Sequence, residues 1–208
     1  MPKTAAFAAM LLIAALTPGT ANALSTGQPY ADRMASRFAV PLPPGPVLLS
    51  RTPCPGTHRR DGVICADTDL GVIHFPYRGR IRPFAFGHEL GHIFDVRVLT
   101  DRDRQLFARL VGYSRGDAAI WDRYTGSKCA RHACPGERFA DAYANCAIDG
   151  VPGVHRIRSG RFRGRTGWDW QSPYGYDPSK RRHRRVCREI NRLSPGSSEI
   201  AVSQTVVR

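Results

Sequence analysis

Glutamate and lysine are scarce in this chain. Its 208 residues include four of the first (Glu89, Glu137, Glu189, Glu199) and three of the second (Lys3, Lys128, Lys180). Basic residues nevertheless number 31, so arginine supplies 28 of them and the formal charge is +14. So few glutamates leave few candidates for a glutamate base or ligand, and a surplus of cation excludes an acidic, solvating chain. Net charge bears on solubility and non-specific attraction, not on fold. Long apolar runs are missing as well: the run from Ala5 to Leu16 is shorter than the roughly 20 residues a membrane helix needs, and nothing downstream approaches that length. No internal repeat and no nucleic-acid fold signature is visible.

What is present begins with MPKTAAFAAMLLIAALTPGTANA, where Lys3, the apolar run and small Ala21 and Ala23 match a bacterial-type secretory signal peptide cut after Ala23. Removing it leaves a chain of single-domain size, expected to be a secreted monomer. Cysteine is absent before Cys54, and all six (Cys54, Cys65, Cys129, Cys134, Cys146, Cys187) fall in the exported part. An even number in an exported chain reads as disulfides. Proximity joins Cys54 to Cys65 and Cys129 to Cys134, leaving Cys146 with Cys187.

Residues 24–50 read as a proline-rich arm or pro-segment, since Ala39–Val47 is too proline-dense for a helix interior or central strand. Leu70–Phe75 is predicted to be a strand. Helices are predicted over 81–99 with Pro83 in the first turn, over 101–112 capped by Thr100 or Asp101, and over 135–148. A last helix, 178–193, would be capped by Asp177 with Pro178 at its first position. The domain is set at 51–194, with a disordered tail over 195–208.

The chemistry concentrates in FGHELGHIFD, residues 86–95. On a helix, His88 and His92 stand one turn apart on one face and can aim two imidazoles at one ion. Zinc suits that pair, and Glu89 beside His88 is placed as general base for a zinc-bound water attacking a carbonyl. Chance yields only about 0.005 such patterns in a chain of this composition. A hydrolytic zinc needs a third protein ligand. Among Glu137, Glu189 and Glu199, Glu137 is favoured, because Asp141 lies four residues on and can orient a ligand from behind.

HELGHIFD and ERFADAY together resemble the two-helix active site of zincin metallopeptidases, particularly the anthrax lethal factor-like branch. The resemblance covers about residues 70–150. It implies an α+β zincin-like fold with a small sheet, zinc held by His88, His92 and Glu137, Glu89 as base, and Asp95 as a supporting acid. Asp141 stands where that branch usually has Glu. Asp95 also reads as a helix-surface acid paired to Arg97 or Arg102. The resemblance further implies an oxyanion-stabilising Tyr or His, for which Tyr124, His132 and Tyr143 are candidates. His58, His74, His155 and His183 lack partners at ligand spacing and read as structural or solvated.

Arg156–Arg165 interleaves arginine with glycine and Phe162, followed by Trp168, Trp170, Tyr174 and Tyr176. That loop could hold a polyanion or wall a substrate cleft. The expected function is therefore a secreted zinc metallopeptidase acting on peptides or proteins. The alternative is a cationic protein that binds polyanions, its zinc structural or vestigial.

Overall fold

Proline places the start of the longest helix. The computed structural model describes residues 28–59, 62–113, 121, 134–149, 174, 176 and 178–193, and within them Pro83 occupies the first turn of α2 (Pro83–Val98). Its missing N–H would have had no intrahelical partner there. Before it come α1 (Gln28–Ala35) and three short strands, β1 (Leu48–Ser50), β2 (Cys65–Asp67) and β3 (Val72–His74). After it come α3 (Asp101–Leu110), α4 (Pro135–Ile148) and α5 (Lys180–Arg192). The expected signal peptide, Tyr124, Cys129, His132, His155, the Arg156–Arg165 loop with Trp168 and Trp170, and the tail lie outside the described residues.

The class is α+β. The strands form one mixed sheet in the order β1-β3-β2, with β1 parallel and β2 antiparallel to β3. The predicted strand over 70–75 is shorter than expected. Leu70 is 70 % exposed and belongs to the turn from β2, where Asp67 Oδ1 accepts the Leu70 N–H at 3.0 Å. Gly71 follows at φ 68°, and a Cβ there would meet the Pro46 carbonyl at 2.7 Å. Inside the 24–50 segment, α1 buries Ala31 and Met34, and Gln28 bonds the backbone of Val47 and Leu49. With β1 in the sheet, residues 28–50 belong to the folded unit.

Two helix starts show how caps are chosen. Thr100 and Asp103 form a reciprocal capping box at α3. The last helix begins two residues later than its Asp177-Pro178 pair predicts, because the Ser179 side chain accepts the Arg182 N–H and caps α5 at Lys180. The core lies where α2, α3 and α4 meet. Phe94 packs on Tyr143 and Phe107 on Phe139, with centroids 5.1 and 4.8 Å apart, and all four rings are fully buried. Such pairs add about 0.5–1.5 kcal/mol each beyond their burial.

Disulfides join Cys54 to Cys65 and Cys146 to Cys187, and Cys134 is also disulfide-bonded. The second bridge ties α5 to α4 across 41 residues of sequence, a loop long enough for its closure to stabilise the fold by about 4 kcal/mol. Cys146→Ser with Cys187→Ser should therefore lower the unfolding free energy by about 2–5 kcal/mol, measured by urea titration. A loss below about 1 kcal/mol would show that α5 holds to α4 through Val186 and Ile190 alone. Among the described residues, no helix is long and apolar enough to cross a membrane.

Candidate metal centre

Small residues bring two helices together. Gly87 and Gly91, four apart on α2, face Ala144 and Ala140, four apart on α4; a Cβ at Gly91 would sit 2.8 Å from the Ala140 Cα, and one at Gly87 3.1 Å from the Ala144 Cα. The backbones can approach this closely because no side chain intervenes. His88 and His92 flank the seam on α2, and Glu137 lies one turn before Ala140 on α4. Gly91→Ala should cost about 1–3 kcal/mol by overpacking and, by pushing α4 outward, weaken metal binding. Paired melting and metal titration test this, and unchanged affinity in a destabilised protein would separate packing from the site.

The seam sets Glu137 Oε2 3.1 Å from His88 Nε2 and 3.3 Å from His92 Nε2, and the two imidazole nitrogens are 3.2 Å apart. These three side chains form a group that could hold a metal ion. Behind His88, its Nδ1–H donates to Asp141 Oδ1 at 2.9 Å. Asp141 is fully buried, and its Oδ2 accepts the Tyr174 N–H at 3.2 Å. A carboxylate at Nδ1 fixes the tautomer and leaves Nε2 free to act as a ligand.

Burial would lower the His88 pKa, but the Asp141 and Glu137 carboxylates bonded to its two nitrogens outweigh that and hold it well above the usual imidazole value. Burial likewise opposes ionisation of Glu137, yet its bonds from His88 and His92 keep it far below the ordinary carboxylate range. Glu89 is 6 % exposed, and burial pushes its pKa up, an effect only partly offset by His88 and His92. Its carboxylate accepts the Ala66 N–H of β2, so the outer strand of the sheet helps place it.

Asp95 lies elsewhere. Its carboxylate accepts Arg104 Nε at 2.8 Å and Trp121 Nε1 at 2.7 Å. Those bonds tie the end of α2 to α3 and to an indole packed on Phe139 of α4. Tyr143 is buried and donates its hydroxyl to the Pro41 carbonyl at 2.6 Å. His74 Nδ1 meets Thr52 Oγ1, and buried His183 meets the Tyr176 hydroxyl, each at 2.9 Å. His183 Nε2 is 3.2 Å from Cys187 Sγ, but Cys146 and Cys187 are spent in a disulfide, so that second metal-like group has no free thiolate.

Sequence reasoning names Tyr174 only among the aromatics of a loop that could hold a polyanion or wall a substrate cleft, and gives it no role at the metal. Its ring stacks on His88, with centroids 5.5 Å apart and planes 19° apart, and its hydroxyl hydrogen-bonds Glu137. Burial, then the charges of Glu137, Asp141 and Glu89, push its pKa up, so the phenol stays protonated. No local signal marks it, since it lies beyond a glycine- and arginine-rich stretch without period. Comparisons with protein-family models, curated proteins and solved structures found no match.

Proposed function

We propose that the chain is an exported zinc metallopeptidase of zincin type. The observation that carries this reading is the triangle of His88 Nε2, His92 Nε2 and Glu137 Oε2, with edges of 3.1–3.3 Å. Ligands about 2.05 Å from a tetrahedral zinc stand about 3.3 Å apart, so the three atoms fit one face of that polyhedron. Two imidazoles and one carboxylate are a donor set zinc accepts, and three protein ligands are what hydrolytic zinc sites use. Bound there, zinc would supply a Lewis acid that polarises a carbonyl and makes water acidic near neutral pH.

The remaining chemistry belongs to the chain. Glu89 takes the proton from the attacking water and returns it to the leaving amine, a role suited to a carboxyl whose pKa burial has raised. Asp141 holds His88 in the ligating tautomer. Once Glu137 is engaged as a ligand, the protonated Tyr174 hydroxyl beside it is free to donate to the oxyanion that forms from the substrate carbonyl.

The test is hydrolysis of a broad peptide library by zinc-loaded protein and by the same protein after chelation. Activity should appear with one equivalent of zinc and vanish without it. Equal inertness of both preparations sinks the proposal. Tyr174→Phe should lower kcat about 100-fold with KM and zinc affinity unchanged; a change confined to KM would assign the hydroxyl to substrate binding instead.

A further inference from the structure

α3 and α5 lie side by side, and two adjoining cavities of about 480 and 440 Å³ run between them. The floor is apolar, made by Leu106, Leu110 and Leu193. The rim is cationic: Arg102 and Arg109 stand on α3, Arg181, Arg182, Arg185 and Arg192 on α5, and all six are exposed. Arg192 pairs with Glu189 at 2.8 Å, and the one acid in the lining, Asp103, is engaged by Thr100 in the helix cap. Among the described residues, the other five rim arginines have no carboxylate partner. Like charges crowded this way repel one another, and an anionic guest would relieve the repulsion.

We propose that this groove binds an acidic, amphipathic peptide segment, with leucine-like side chains on the floor and carboxylates against the guanidinium rim. The apolar floor decides the class of guest. A phosphate polymer has no use for three leucines, no aromatic ring among the described residues lines the groove to stack a nucleic-acid base, and a flat membrane surface does not enter a cleft between helices. A guanidinium fork matches a carboxylate bidentately. None of these residues belongs to the metal centre, so the inference stands apart from the hydrolytic reading.

The test uses the full chain in chelator, so that no probe is cut, and fluorescence anisotropy of a labelled synthetic peptide of glutamate and leucine at helical spacing. Saturable binding is expected. It should weaken roughly tenfold or more when the peptide's leucines become serine or its glutamates glutamine, and when Arg181→Glu and Arg185→Glu are introduced together. Arg33→Glu on α1 with Arg37→Glu in the turn that follows it makes the same change in net charge away from the groove and should leave affinity within about twofold. Equal loss in the two double variants, or equal binding of the serine peptide, would reduce the effect to net charge. An oligothymidylate of about 12 nucleotides binding more tightly than the peptide would overturn the assignment in favour of nucleic acid.

Discussion

Replacing Glu89 by Gln is expected to leave metal binding intact while lowering peptide hydrolysis by about a hundred- to ten-thousandfold, the contribution a positioned general base makes. The amide keeps the shape of the side chain, and its carbonyl can still accept the Ala66 N–H. What it loses is the capacity to take a proton. The variant should also be no less stable. A buried carboxyl with a raised pKa holds its proton in the fold at pH values where the unfolded chain has released it, so the fold loses stability as pH rises from the unfolded value towards the folded one. A neutral amide removes that penalty, and metal-free Glu89→Gln should melt at or above the wild-type temperature near neutral pH. Inactivity accompanied by a lower melting temperature and lost metal would instead make Glu89 a structural residue.

The helix period alone sets His88 beside His92 and Glu137 on the same face as Asp141, because residues four apart share a face. What spacing along one helix could not convey is how two helices meet. That depends on Gly87 and Gly91 finding Ala144 and Ala140, a pairing visible only once both helices are known to touch. The three strands were less legible for a different reason: each has three residues, too few for alternation to register. β1 also follows directly on a proline-dense stretch that argued for an arm. At α5 the sequence points to Asp177-Pro178, whereas the Ser179 hydroxyl accepts the Arg182 N–H and starts the helix at Lys180. Tyr174 shows the limit of local reasoning. Its place on His88 is a tertiary contact, and nothing in its own neighbourhood announces it.

The second large effect concerns the metal, its third ligand and pH. In the metal-free protein His88 has a raised pKa, so it stabilises the fold fully below the unfolded value of about 6.5, and that contribution is lost as pH rises through the folded value. Glu137 runs the other way. Its depressed pKa stabilises the fold above the unfolded value of about 4.3, and the contribution is lost as pH falls through the folded value. With the Glu89 penalty growing above its unfolded value, the metal-free protein should therefore be most stable at about pH 4.5 and lose stability further as pH rises past about 6.5. A metal needs His88 without its Nε2 proton, so each ion bound must displace that proton, and apparent affinity should rise about tenfold per pH unit below the folded pKa. The melting-temperature gain on adding zinc should grow in step. Glu137→Ala should weaken binding by more than about 100-fold, since losing even a partner behind a ligand costs about 10- to 100-fold. It also strips His88 of one of its two carboxylates, so its pKa falls and the rise in affinity with pH should level off at a lower pH than in the wild type. Isothermal titration at several pH values reads both effects. Flat affinity across pH, or unchanged affinity in Glu137→Ala, would mean that the two helices carry a hydrogen-bonded histidine–carboxylate cluster with no metal between them.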